Sequence, residues 1–146
     1  MKYLSLPYLF VSVQLLSLAL LSVSGPLLAR SVIGLLTELT GLFLGFLAIY
    51  HMHLGNFNII PVPKEKGKLV TTGIYSQLRH PMYLAQLLVF LPLVIESYSH
   101  FRLLAWFILF FDLVIKLHYE EKLLIRHFEG YRHYMKTTKR LIPFIY

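Results

Sequence analysis

Apolar residues run almost unbroken through four stretches: Tyr3 to Val23, Val32 to about Leu54, Pro81 to about Ser97, and Phe101 to about Tyr119. Each comes near the roughly 20 residues that a helix needs to cross a hydrocarbon layer about 30 Å thick. The third is short for a span and is interrupted by Pro92. The pattern predicts an all-α fold, an integral membrane bundle of about four transmembrane helices. After Tyr119 the pattern changes. Leu124, Phe128, Tyr131 and Met135 recur at i, i+4, i+7 and i+11, with basic residues over much of the rest. This predicts a C-terminal amphipathic helix in the membrane interface rather than a fifth span. The chain shows no internal repeat, low-complexity tract or flexible linker, so residues 1–146 read as a single domain.

Composition strengthens the membrane reading. Of the 146 residues, 57% are hydrophobic and 14% charged, and the mean hydropathy is +0.64. A soluble domain of this size cannot bury so much apolar surface. The net charge of +7 would suggest nucleic acid in a soluble chain. Here the charges lie between and after the apolar runs, which suits anionic lipid head groups instead. The segment from Gly55 to His80 holds Lys64, Lys66, Lys68 and Arg79, and the tail holds Lys122, Arg126, Arg132, Lys136, Lys139 and Arg140. The other two connections hold only Arg30 and Arg102. With four spans both basic segments fall on one side, which the distribution of Lys and Arg assigns to the cytoplasm, together with both termini. Lys2 and the small residues from Ser22 to Gly25 resemble the flanks of a signal peptide. The apolar run between them exceeds the roughly 7–15 residues of a signal core, so an uncleaved span is expected. The absence of cysteine excludes disulfides, thiolate nucleophiles and Cys-type zinc sites.

The junction Arg79-His80-Pro81 carries the first candidate chemistry. Proline fits the first helical position and pushes the residue before it out of helical geometry. The third helix is therefore expected to begin at Pro81 with His80 as its cap. The free N–H groups of Met82 and Tyr83 would then form an anion site, to which the Arg79 fork and the His80 imidazole add donors. Arg79 flanking a span to bind lipid phosphate is the simpler reading. Tyr83 and Gln86, three residues apart on one helix face with Leu87 and Phe90, favour a polar cleft, because a glutamine in an apolar helix seeks a partner.

The fourth apolar stretch carries charges. Asp112, Lys116 and Glu120 fall at i, i+4 and i+8. The first two are expected to neutralise one another, since charges within a span face protein or a wet cavity. Glu120 and Glu121 sit at the C-terminal end of the span, where the helix dipole disfavours negative charge, so they require cationic or hydroxyl partners. Adjacent residues project about 100° apart, so one of the two faces a cleft. If the Asp112/Lys116 stripe faces the bundle, Glu120 partners Lys116 and Glu121 turns to the cleft beside His80; the opposite holds if the stripe lines the cleft. We assign Glu121 to the cleft. His51-x-His53 has metal-like spacing but no evident third ligand, so no metal site is expected. Glu38 reads as a bundle contact or a proton relay.

The ordered set Leu69-Val70, Gly73-x-Tyr75, Arg79-His80-Pro81-x-Tyr83, Glu120-Glu121, Tyr131-x-x-Tyr134 and Pro143 resembles the isoprenylcysteine carboxyl methyltransferase and phospholipid methyltransferase superfamily. The resemblance covers about residues 54–146. It departs from the family at Ile74, where proline is usual, and the first two spans match only in being apolar. The resemblance implies an integral membrane enzyme that uses S-adenosylmethionine, with the cofactor site at the cytoplasmic ends of the last two spans and the tail. It implies Arg79, His80 and Glu121 as catalytic residues. It implies Tyr75, Arg79, His80, Tyr83, Gln86, Glu120, Glu121, Tyr131 and Tyr134 around the cofactor, the tyrosines enclosing adenine and favouring the sulfonium. The acceptor it implies is a lipophilic, membrane-associated molecule: a prenylcysteine carboxylate, a lipid amine, or a small lipophilic thiol or acid. Two other classes compete. A non-catalytic membrane anchor or scaffold explains the basic tail but gives no reason to bind the cofactor. A transporter explains Glu38, Asp112 and Lys116, but its polar groups would line a path rather than gather on one side.

Overall fold

The computed structural model describes residues 5–53, 56, 58–143 and 145–146. Tyr3 and Lys2 at the first apolar stretch, Leu54 at the end of the second and Gly55 at the start of the basic segment lie outside them. The described residues form five α-helices: α1 (Ser5–Val23), α2 (Val32–Met52), α3 (Pro81–Glu96), α4 (His100–His127) and α5 (Tyr131–Thr137), with a 3-10 turn at Gly73–Ser76. No strand occurs among them; one isolated parallel bridge joins Leu78 to Lys139. The all-α expectation holds.

Local chemistry sets the helix starts. The Ser31 hydroxyl accepts from the Gly34 N–H at the start of α2, and the Ser99 hydroxyl does the same for the Arg102 N–H at the start of α4. Helix α3 begins at Pro81 with His80 as its cap, as the sequence predicts. Helix α2 packs along α3, α1 along α4, and α3 meets α4. Gly41 permits the close approach of α2 to α3, since a Cβ there would stand 2.9 Å from the Ala85 carbonyl oxygen. The inner seam of Leu21, Leu87, Val94, Ala105, Leu109 and Leu113 is buried. On the outside, Leu15, Leu16, Leu39, Leu42, Phe43 and Phe46 are exposed, an apolar belt of the kind that faces lipid.

The span count differs from expectation. Two helices, α1 with 19 residues and α2 with 21, are long and apolar enough to cross a membrane. Helix α3 has 16 residues, which at about 1.5 Å per residue reaches only about 24 Å. Helix α4 has 28 residues and is long enough, but the buried Arg102, Asp112, Lys116 and Glu121 lower its apolarity.

The tail also differs. The stripe from Leu124 to Met135 is not one helix. Helix α4 continues to His127, the Phe128 N–H closes its last turn on the Leu124 carbonyl, and Phe128 itself is extended. The short α5 follows, with Tyr131 and Tyr134 buried. Beyond it the chain lies alongside the entry to α3. The Arg79 N–H donates to the Lys139 carbonyl at 2.8 Å, the His80 N–H to that of Arg140 at 3.0 Å, and the Lys139 N–H to that of Gln77 at 2.9 Å. Of the stripe's aromatic residues, Tyr131 is buried and Phe128 half-buried, and both line the cavity described below.

Candidate active site

A polar cavity lies where the start of α3, the end of α4, α5 and the loop before the 3-10 turn converge. It encloses roughly 870 Å³ of space open to the bulk, and Tyr75, Arg79, His80, Tyr83, Glu120, Tyr131 and Tyr134 contribute to its wall, with Asn56, Asn58, Lys64 and Lys68 from the loop. Seven of the nine predicted cofactor-site residues therefore meet in one place. Glu121 and Gln86 do not line it.

Glu121 stands behind the wall, 3% exposed. Its Oε1 accepts from Arg79 Nε at 2.7 Å, its Oε2 from Arg140 Nε at 2.9 Å, and His80 Nε2 lies 3.5 Å from Oε1. Burial pushes this carboxyl up, but the contacts from His80, Arg79 and Arg140 outweigh it and bring it down to about 2. The Arg79 fork is committed in the same way. Its Nη1 donates to the Met135 carbonyl at 3.2 Å and to the Thr138 carbonyl. Arg79 thus ties α3 to the tail, which leaves its fork mostly unavailable to a ligand.

Glu120 shows the reverse disposition. It lines the cavity, and its Oε2 accepts from the Tyr83 hydroxyl at 2.7 Å. It does not pair with Lys116 as expected. The Lys116 ammonium, 1% exposed, donates to Gln14 Oε1 at 2.6 Å and to the Ile59 carbonyl at 3.1 Å, and lies 5.3 Å from the centre of the Tyr83 ring. Lys116 and Asp112 form no ion pair either, and Asp112 Oδ2 is buried without a hydrogen-bond partner. Spacing of four residues on a helix brings side chains near, but the bundle supplied Lys116 with oxygens from other elements.

At the cap of α3, the His80 ring stacks on Tyr83, with centroids 5.2 Å apart and planes 13° from parallel. Its Nδ1 lies 3.8 Å from Glu120 Oε2, and its buried Nε2 has no hydrogen-bond partner. The Tyr83 N–H is not free as expected; it donates to the His80 carbonyl at 3.1 Å. Across the cavity, Gly73 has φ +62° and opens the 3-10 turn that carries Tyr75. A Cβ at Gly73 would fall 2.0 Å from His51 Cδ2, so the sequence's interest in His51 resolves into packing against this turn. The Tyr134 hydroxyl donates to the Tyr75 carbonyl at 2.6 Å. Burial first, then neighbouring charge, raises the phenols of Tyr75 and Tyr131 well above the usual tyrosine range, so both stay neutral donors.

A second, apolar groove runs between α2 and α3, lined by Leu18, Gly41, Gly45, Phe46, Met82 and Val89 among others. Gln86 belongs here, where its Oε1 accepts from Gln14 Nε2 at 2.8 Å. Met82 lines both the groove and the polar cavity. Sequence reasoning did not find the groove, nor the roles of Gln14 and Arg140; Gln14, a lone amide in the first apolar stretch, was the available signal.

No curated protein matches the chain. Residues 29–130 match phospholipid methyltransferase. The match reaches upstream of the motifs at 69–83, through all of α2, and closes just before Tyr131. It spans most of the chain and both sides of the polar cavity, and with the motif set it identifies the protein as a member of the phospholipid methyltransferase family.

Proposed function

We propose that the protein transfers a methyl group from S-adenosylmethionine to a lipophilic acceptor held in the membrane, with the cofactor in the polar cavity and the acceptor's tail in the apolar groove. The observation that carries this reading is the meeting of the two spaces at Met82, one residue into α3 past Pro81. A water-soluble donor and a lipid acceptor need such a junction.

The residues present fit the cofactor. His80 lines the cavity beside the positive end of α3, where a donor suits the α-carboxylate. Tyr75, Tyr83, Tyr131 and Tyr134 offer aromatic faces for the adenine and for cation–π attraction to a sulfonium. Glu120 offers a carboxylate to cationic groups. When bound, the cofactor supplies a methyl on a cationic sulfur that departs as a neutral thioether, so no residue need protonate the leaving group. The protein's contribution is orientation and exclusion of water. In this reading Arg79, Glu121 and Arg140 act by holding His80 and the tail in register, while His80, Tyr83 and Glu120 face the reactants.

The membrane arrangement belongs to the same reading. Helices α3 and α4 complete a bundle of four crossings, the short α3 being sheltered by α2 and the charges of α4 by α1. The cavity and both basic segments then face the cytoplasm.

Calorimetric titration of S-adenosylhomocysteine into the detergent-solubilised protein tests the cofactor. Saturable one-site binding that weakens in His80→Ala is expected. Absence of binding by a folded protein would leave the anchor reading.

A further inference from the structure

Among the described residues lining the apolar groove between α2 and α3, Gln86 alone carries a polar side chain. A run of hydrogen bonds behind the wall fixes which end of that amide looks out. The buried Lys116 ammonium has only N–H groups to offer. It donates to Gln14 Oε1 at 2.6 Å and to the Ile59 carbonyl at 3.1 Å. Gln14, buried in α1, must therefore turn its oxygen to Lys116 and its nitrogen away. That nitrogen donates to Gln86 Oε1 at 2.8 Å, so Gln86 in turn points its oxygen at Gln14. Reversing either amide would set N–H against N–H. What remains is Gln86 Nε2. It makes no hydrogen bond to any described residue, and Gln86 is half-buried on the groove wall. The groove thus holds one N–H donor, and a lysine on α4 dictates that it is a donor.

Its depth follows from the helix. Gln86 lies four residues past Met82, where the groove meets the polar cavity, and so about 6 Å farther along α3. A hydrocarbon chain filling the groove strips water from this N–H and returns no acceptor, which is unfavourable. A carbonyl oxygen at that depth restores the hydrogen bond. Ester and amide carbonyls accept well, and ether oxygens accept weakly. We propose that Gln86 is the specificity-determining residue of the groove. Its amide N–H binds the carbonyl oxygen of an acyl linkage, so the groove selects lipids whose chains are joined by esters or amides over those with ether-linked or wholly hydrocarbon chains. Gln14 and Lys116 are positioning residues that act through it. This rests on the reading of the groove as the seat of the acceptor's tail, and it concerns the chain linkage whatever head group receives the methyl.

The test uses the purified full chain in detergent without cofactor. Equal amounts of dioleoylphosphatidylethanolamine and its dialkyl ether, with the same head group and chain length, compete for the protein, and native mass spectrometry reads the ratio retained. Wild type should retain the ester lipid roughly 3–10-fold over the ether, the scale of one net hydrogen bond. Gln86→Met keeps the length of the side chain and removes the donor, and the ratio should fall to equality. Gln14→Glu is the sharper variant. One oxygen of its carboxylate accepts from Lys116 and the other from Gln86, whose amide then turns its oxygen to the groove. The ester preference should vanish although Gln86 is still present, a response that simple packing does not produce. Melting temperature verifies that each variant is folded, and either variant alone decides the matter. Equal retention of the two lipids by wild type, retention of neither, or an ester preference that survives Gln86→Met or Gln14→Glu would overturn the proposal. Binding of S-adenosylhomocysteine is measured separately. A protein that does not bind it yet keeps the Gln86-dependent preference fails the methyltransferase reading alone, and one that binds it without any preference fails this proposal alone.

Discussion

Replacing Glu121 with glutamine should unfasten the cavity wall without touching the cavity. Glu121 is held by Arg79, Arg140 and His80, and its carboxyl lies at about 2 against an ordinary 4.5. That depression, at 1.36 kcal/mol per pH unit, is worth about 3 kcal/mol of stability at neutral pH. Removing one partner of a buried ion pair costs roughly 3–5 kcal/mol, which agrees in scale. Arg140 is partly exposed, so solvent screens its share and the lower figure is the better guide. The sign follows from the direction of the shift. A depressed carboxyl contributes stability that is complete above its unfolded value of 4.5 and disappears as pH falls toward about 2. Glu121→Gln should therefore melt roughly 6–12 °C below wild type at neutral pH, and the gap should close as pH falls through this window. Thermal unfolding in detergent, followed by the fluorescence of Trp106, measures both. A variant that melts with wild type at neutral pH, or a gap that stays constant down to pH 2, would show that the Arg79–Glu121–Arg140 cluster does not hold the wall.

Other outcomes follow from the same geometry. Tyr134→Phe removes the hydrogen bond to the Tyr75 carbonyl and should cost about 1 kcal/mol, read as a lower melting temperature with weaker S-adenosylhomocysteine binding. Gly41→Leu drives a side chain into the α3 backbone and should destabilise by about 1–3 kcal/mol, again by thermal unfolding; a neutral effect would refute the close α2–α3 contact. Tags on both termini should be accessible from the cytoplasmic side in intact cells, and protection of the N-terminal tag alone would exclude four crossings. Arg79→Ala should lower stability more than S-adenosylhomocysteine affinity, since its fork is spent on Glu121, Met135 and Thr138; the opposite ordering would restore Arg79 as a direct anion receptor.

What the sequence disclosed was local. Pro81 fixes the start of α3 and His80 its cap, because proline acts on its immediate neighbours. The four apolar runs give four helices for the same reason. The failures lie in long-range partners. The i, i+4 spacing of Asp112 and Lys116 suggests a pair, yet Lys116 bonds to Gln14, 102 positions away. Helical projection separates Glu120 from Glu121 but does not say which is buried. Arg140 and the Thr138 carbonyl decide that, and they arrive through a tail whose path depends on the break at Phe128. The apolar stripe of the tail was genuine, but the helix breaks at Phe128, and Leu124, Phe128 and Tyr131 line the cavity, a use that periodicity does not reveal. The apolar groove was invisible because its walls come from α1, α2 and α3 together and exist only once these helices meet.

The central claim is methyl transfer to a membrane lipid at the junction of the two spaces. Incubating the purified protein with methyl-labelled S-adenosylmethionine and a membrane lipid extract, then resolving the lipids by mass, tests it directly. The account predicts label in a lipid product whose mass rises by one methyl group, and less of it when His80→Ala replaces wild type. Label that stays in the cofactor, from a folded wild-type protein, would contradict it.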